Sequence, residues 1–286
     1  MNFIIYHNLV NKNFVMICTF ALLGVILILI VICTIMQYNY IPKETGFTII
    51  KSLINKEKID MILKKWEQKK YSEIKDFFLT GENSDKIREK IKNILGKDYI
   101  LIDYCYLIEN SAIHTYHRDY TSSMNYNNLN HPSYTMILYL DNSDTGLNLI
   151  PGSHNDNISI YLVDKSEKLN FDAGTAILFN ADVLHAGTAS DGNVSRHCIQ
   201  FKIIHKDDLN KMPWLDNFHV LINRPNNKSL IMKTIESNLT KHLPIFMDNT
   251  QDLIKSAFSE DRTPIQKFIS SLIFSNEDFY KPIRIL

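Results

Sequence analysis

Within this 286-residue chain, the residues best suited to chemistry are His117 and Asp119, with Arg118 between them, and His185 and Arg196 far downstream. Two imidazoles and one carboxylate are the ligand set that holds a non-haem Fe(II) on one face and leaves positions open for oxygen and substrate. Side chains at i and i+2 of an extended segment face the same way, so His117 and Asp119 can present two ligands together. The third ligand must arrive from a distant strand, as an antiparallel barrel allows. His-x-Asp triplets are common by chance, so the elements around this one have to carry the reading.

Those elements change character along the chain. Residues 51–97 are charged and helical, with Ile54, Ile59, Ile62, Leu63 and Trp66 near helical spacing. Ser84, Ile87, Ile91, Ile94 and Leu95 suggest a second helix stopped by Gly96. From Tyr99 to Ile108 the residues are β-branched, aromatic and aliphatic, and read as a strand. Further strands are expected at 134–141, 146–150, 158–163, 175–180 and 196–205, separated by loops rich in Asn, Asp, Gly and Ser. Short strands at this spacing predict an all-β core rather than alternating β and α units. After 207 helices are expected near 228–240, 249–258 and 263–274, punctuated by Pro213, Pro225, Pro244 and Pro264.

His117 and Asp119 follow the first of these strands, His185 lies just past Ala176-Ile177-Leu178-Phe179, and Arg196 opens the last long strand. The guanidinium of an arginine fits a carboxylate bidentately. Four stretches together resemble the Fe(II)/2-oxoglutarate-dependent oxygenases, and most of all their phytanoyl-CoA dioxygenase-like branch. They are His117-Arg118-Asp119, the run from Gly146 to His154 with its Pro151-Gly152-Ser153-His154 turn, the run from Asp172 to Phe179, and Leu184-His185-Ala186-Gly187 leading to Arg196. Tyr134 to Asp141 and His185-Ala186-Gly187 are similar to the prolyl-hydroxylase-like relatives as well.

The resemblance implies a mainly β fold with flanking helices, its core a double-stranded β-helix (jelly-roll, cupin-like) over 99–206. It implies His117, Asp119 and His185 as metal ligands and catalytic centre. Arg196 and Tyr139 would bind the cosubstrate carboxylate. The cofactors implied are Fe(2+), 2-oxoglutarate and O2, and the reaction is hydroxylation of a C–H bond with release of succinate and CO2. Asp119 separates the chain from halogenating relatives, in which a small residue replaces the carboxylate. The substrate is a lipid-like or small molecule; a prolyl- or lysyl-hydroxylase-like enzyme acting on a protein side chain is the second enzymatic reading. A catalytically silent β-helix binding or interaction protein is the reading from another class. A cupin-like metal enzyme that uses no 2-oxoglutarate is a further one, with Arg196 as the discriminating residue.

Residues 14–36 form an uncharged apolar run, long enough for a bilayer, which needs about 20 such residues, and longer than a signal-peptide core. A single-pass membrane location through this run is therefore expected, with orientation undetermined by the few flanking lysines. The organisation expected is a tail over 1–13, a transmembrane helix over 14–36, a helical segment over 37–98 bracing the core, the core over 99–206 and a helical segment over 207–286. Formal net charge is zero, so nothing points to nucleic acid. None of the four cysteines forms a CxxC pair, which argues against a structural zinc site; Cys105 and Cys198 read most simply as small buried residues, with a disulfide between them left open. His114 reads as a surface or supporting residue, His131 as solvated in a polar loop, and His154 as part of a turn rather than a ligand. His197 should face away from Arg196. Tyr104, Tyr106 and Gln200 are candidates for lining the pocket or the ordinary core.

Overall fold

The computed structural model describes residues 45–110, 112–124, 128–155, 161, 165–190, 196–223, 226–244, 247, 263–278 and 283–285. Its contacts divide the chain into two units, 1–41 with 160–164, and 42–159 with 165–286; the sheets, helices and sites below belong to the second.

Three helices precede the core. In α1 (Lys56–Glu67) the Asn55 side chain caps the start by accepting from the Lys58 amide, and Ile59, Ile62 and Trp66 form the buried stripe. Helix α2 (Tyr71–Leu79) buries Ile74 and Phe78, and α3 (Gly81–Leu95) buries Ile87 and Ile91 before Gly96 ends it at φ 105°. These stripes cover one face of an eight-stranded sheet. Its strands are β1 (Phe47–Ile50), β2 (Tyr99–Leu101), β3 (Tyr104–Glu109), β4 (Tyr134–Tyr139), β7 (Ala176–Asn180), β9 (His197–His205), β10 (Phe218–Asn223) and β11 (Ile283–Arg284), in the order β1-β7-β4-β9-β3-β10-β11, with β2 also paired to β9. A second sheet has the order β6-β5-β8, from β5 (Ser143–Leu149), β6 (Glu167–Phe171) and β8 (His185–Gly187). An antiparallel bridge between His117 and His185 adds the segment around His117 to its β8 edge.

From β3 the chain visits the larger sheet, the smaller one at His117, the larger at β4, the smaller at β5 and β6, the larger at β7, the smaller at β8 and the larger at β9. The chain is thus mainly β sheet with flanking helices, consistent with a cupin-like fold. Alternation along the strands sorts the core. Met136 and Leu138, Ala176 and Leu178, and Ile199, Phe201 and Ile203 face the helices. Ile137 and Tyr139, Ile177 and Phe179, and Cys198 face inward, where they meet Leu147, Leu149 and Phe171 of the smaller sheet. Phe78 and Phe201, both fully buried, meet at 5.4 Å between ring centroids; truncating either to alanine costs about 3–5 kcal/mol. At Gly146 a Cβ would lie 1.9 Å from the Leu169 carbonyl oxygen, so only glycine lets β5 approach β6 this closely.

Helices α4 (Leu230–His242) and α5 (Pro264–Phe274) lie in the C-terminal segment. Thr263 and Gln266 form a reciprocal capping box at the start of α5. The same segment carries two elements not expected there. Strand β10 runs parallel to β3 over Phe218↔Tyr104 to Asn223↔Glu109, and β11 pairs with β10. The run from Tyr99 to Ile108 is two strands, β2 and β3, broken at Ile102-Asp103. Tyr161 lies in no strand, and the rest of the expected strand 158–163 apart from it falls outside the described residues, as does the helix expected at 249–258. The strand found next is β6, a polar edge with one buried residue, Phe171. Cys105 and Cys198 are free, buried thiols; Cys18 and Cys33 fall outside the described residues.

The single-pass membrane location expected from residues 14–36 needs correction. Among the described residues no helix is long and apolar enough to cross a membrane. The longest of them, α3, has 15 residues and spans about 22 Å at 1.5 Å per residue, short of a roughly 30 Å hydrocarbon core. Residues 14–36 themselves lie outside the described residues.

Candidate metal centre

His117, Asp119 and His185 converge. Each offers one ligand atom, and the three atoms lie within 4.8 Å of one another. Backbone pairing sets this up: the His117 amide donates to the His185 carbonyl and the His185 amide to the His117 carbonyl, both at 3.0 Å. Two residues on, the Asp119 amide donates to Ala181 O at 2.9 Å. These bonds hold the segment His117–Asp119 against β8 and the turn before it.

Side-chain bonds then orient the donor atoms. His117 Nδ1 lies 2.8 Å from Thr115 O, and His185 Nδ1 lies 2.9 Å from Val183 O. A carbonyl can only accept, so each Nδ1 carries the proton and each Nε2 keeps its lone pair, the tautomer that a metal requires. His185 Nε2 faces Asp119 Oδ1 at 3.7 Å. Burial pushes the His185 imidazole below its ordinary pKa, keeping the ring neutral. Asp119 divides its two oxygens: Oδ2 accepts from Lys202 Nζ at 2.8 Å and from the Thr135 hydroxyl, which itself accepts from Lys202 at 2.7 Å. Burial opposes ionisation of Asp119, but the Lys202 ammonium overcomes it and holds the carboxyl well below the usual carboxylate range. What results is an anionic carboxylate beside two imidazoles whose Nδ1 atoms face carbonyls, with Asp119 Oδ1 turned toward His185.

Arg196 and Tyr139, expected to act together, are together. Arg196 Nη2 lies 3.4 Å from the Tyr139 hydroxyl, and its Nε donates to Cys198 Sγ at 3.2 Å. Arg196 is buried, and its Nη1 has no hydrogen-bond partner among the described residues. A buried cationic donor without an acceptor is costly, and a bound carboxylate would satisfy it. Tyr139 stacks on Phe171 at 4.3 Å, and burial pushes its phenol above the ordinary value. The inner face that carries Tyr139 also carries Phe179, whose ring lies 4.6 Å from that of His185. The Arg196–Tyr139 pair and the His117, Asp119 and His185 set thus border the same apolar interior.

Several supporting residues escape a reading by sequence. Lys202 shares the parity of Arg196 and Cys198 on β9, which is the signal that could have found it. Ser153 of the Pro-Gly-Ser-His turn donates to Ile150 O at 2.7 Å and accepts from the Leu184 amide at 2.8 Å, clamping the residue before His185. Arg118 is fully buried and donates to Asp182 O at 3.1 Å. The Asp182 carboxylate accepts from the Ser122 and Ser123 hydroxyls, tying the loop after Asp119 to the turn before His185. His114 is buried rather than at the surface, set between Glu236 Oε2 of α4 and Asn226 Nδ2, each at 2.8 Å. His197 does face away from Arg196: it pairs with Asp141 at 2.9 Å and meets Trp66 edge-on. Tyr104 stacks with Tyr106 and Phe218 in a separate apolar cluster.

No protein-family model matches the chain, and no curated protein matches it. Among solved structures, apo HygX from Streptomyces hygroscopicus is 13% identical, with a TM-score of 0.44 over 57% of this chain and 82% of that one. EvdO2 from Micromonospora carbonacea var. aurantiaca, complexed with 2-oxoglutarate, is 11% identical, with a TM-score of 0.43 over 57% of this chain and 87% of that one. SnoN, an α-ketoglutarate-dependent epimerase from nogalamycin biosynthesis, is 13% identical, with a TM-score of 0.41 over 57% of this chain and 80% of that one. HygX has been crystallised with iron, and with nickel, 2-oxoglutarate and hygromycin B.

Proposed function

We propose that the chain is an Fe(II)/2-oxoglutarate-dependent dioxygenase that hydroxylates a C–H bond of a small, lipid-like or other low-molecular-weight substrate. The observation that carries this is the paired set of Nδ1 bonds to Thr115 O and Val183 O, which leaves both Nε2 lone pairs for a metal beside an anionic Asp119. His117, Asp119 and His185 would hold Fe(II). Bound there, iron with 2-oxoglutarate and O2 supplies the oxidising power, and succinate and CO2 leave.

The chain's own residues do the positioning. Lys202 and Thr135 hold Asp119 Oδ2 so that Oδ1 is the donor presented. Arg196, whose buried Nη1 has no partner among the described residues, would take the distal carboxylate of 2-oxoglutarate, with the Tyr139 hydroxyl beside it. The apolar interior of Phe171, Phe179, Leu147 and Leu149 excludes water from the space between. The two sheets bring these parts together from six strands, β4 to β9, and the loop that carries His117 and Asp119. The Ser153 clamp on Leu184 gives the Pro-Gly-Ser-His turn, on which the resemblance to the phytanoyl-CoA dioxygenase-like branch rests, a place at the site.

The test is succinate formation from 2-oxoglutarate with Fe(II), for the parent and for His185→Ala. Turnover in the parent that His185→Ala abolishes is expected. No iron-dependent turnover and no iron-dependent 2-oxoglutarate binding would sink the proposal. An Arg196→Ala variant that binds 2-oxoglutarate as tightly as the parent would remove the role given to Arg196.

A further inference from the structure

A second constellation lies outside this centre. His131 sits in the connection between Asp119 and β4, His205 ends β9, and Asp207 follows in a 3-10 turn, Lys206–Lys211. One ligand atom from each lies within 4.8 Å of the others, and among the described residues only this group and the His117 set meet that condition. We propose that His131, His205 and Asp207 bind a divalent transition ion of the zinc class, at a site separate from the iron-type centre.

The separations fit one ion better than they fit hydrogen bonds. Asp207 Oδ2 lies 3.5 Å from His205 Nδ1 and 3.7 Å from His131 Nε2. Both are too long for good hydrogen bonds. With metal–ligand distances of about 2.0–2.2 Å, neighbouring atoms of a tetrahedral site sit about 3.4 Å apart. Imidazole nitrogen with a single carboxylate favours zinc and its neighbours over magnesium or calcium. The fourth position would be left to water.

The three residues are also held in place before any ion arrives. The carboxylate of Asp208, fully buried, accepts from the amides of Asn130 at 3.0 Å and His131 at 2.9 Å. Pro132 follows His131 and restricts its backbone. The two imidazoles stack, with centroids 3.6 Å apart and planes at 28°. Tyr99 meets His205 edge-on at 5.3 Å. His205 Nδ1 accepts from the Asp207 amide at 3.3 Å, so its lone pair is already on this side, and an ion would displace that long bond. Filling the site would fasten the connection that leaves Asp119 to the far end of the strand next to Arg196.

The experiment titrates zinc into the metal-free full-length protein against a chromophoric chelator, for the parent, His131→Ala, Asp207→Asn and His185→Ala. The expected result is that His131→Ala and Asp207→Asn each lose one bound equivalent, or bind it at least about 10-fold more weakly, and that His185→Ala keeps it. Asp207 is exposed and Asn is isosteric with it, so its loss of zinc does not reflect unfolding. Zinc should also slow amide exchange across 128–133 in His185→Ala. Parent-like binding in both His131→Ala and Asp207→Asn overturns the proposal. So does loss of the same equivalent in His185→Ala, which would make it part of the iron-type centre.

Discussion

Replacing Lys202 by methionine tests the electrostatics of the centre directly. Lys202 Nζ is buried and bonded to Asp119 Oδ2 at 2.8 Å and Thr135 Oγ1 at 2.7 Å. Methionine fills a similar volume, so packing is largely kept and the lost charge dominates. Removing one partner of a buried ion pair costs about 3–5 kcal/mol, because the other charge stays buried. The neighbouring imidazoles and Thr135 still face Asp119, which places the metal-free loss at pH 7 near the lower figure, about 3 kcal/mol. The pH dependence has a definite sign. Asp119 has a folded pKa below its unfolded value of about 3.9, so its stabilisation is present above about pH 4 and is lost as pH falls through the folded value. The gap between parent and variant should therefore narrow in acid. A divalent ion at the centre would supply the missing counter-charge, so Mn2+ should stabilise Lys202→Met more than the parent. Urea unfolding followed by tryptophan fluorescence measures all three, Trp66 being buried in the core. A loss under about 1 kcal/mol at pH 7, or equal stabilisation of both proteins by Mn2+, would refute the reasoning.

Ser153→Ala leaves the buried Leu184 amide without its acceptor; it should lower stability by about 1–3 kcal/mol and weaken metal binding at His185, read from thermal melts with and without Mn2+. Gly146→Ala forces a Cβ against the Leu169 carbonyl; loss of the β5–β6 pairing, seen as faster amide exchange in 167–171, is expected, and unchanged exchange would contradict the contact. His114 has its folded pKa lowered, chiefly by burial. Its unfolded form takes up a proton at about pH 6.5, so stability should fall as pH drops below that value. His114→Gln should flatten this slope in denaturation measured between pH 7 and 5.

How much of this was legible in the sequence follows from the range of each signal. The apolar pattern of β4, β7 and β9 is local, and it located these three strands within one or two residues, whereas β5 starts three residues before the expected 146. The pairing of Tyr139 with Arg196 came from the resemblance to known oxygenases, not from a local pattern, and the two side chains do meet. Lys202 shares the parity of Cys198 on β9, but its meaning depends on Asp119 across the roll, and no local pattern carries that pairing. Of the two readings of His114, surface or supporting, the structure removes the first: the ring is buried and bonded to Glu236 on α4, more than a hundred residues away. Strand β6 is a solvent-facing edge, so its sequence, EKLNF, lacks the apolar rhythm that marks a strand. In β10 the FHVLIN run has that rhythm, but the prolines around it were read as helix punctuation.

The mutual backbone bonds between His117 and His185 have a consequence for the order of events during folding. The pairing joins parts of the chain more than sixty residues apart, as does the nearby Arg118–Asp182 contact, at a separation of 64. Closing so long a loop costs entropy before any contact offsets it, and such non-local pairing is slow. In the unfolded chain, His117 and Asp119 can offer an ion at most two of its three ligands. With the proposed ligand set, the nascent protein would gain its full grip on metal only when the roll closes, and the rate of metal loading should track the rate of folding rather than the concentration of the ion.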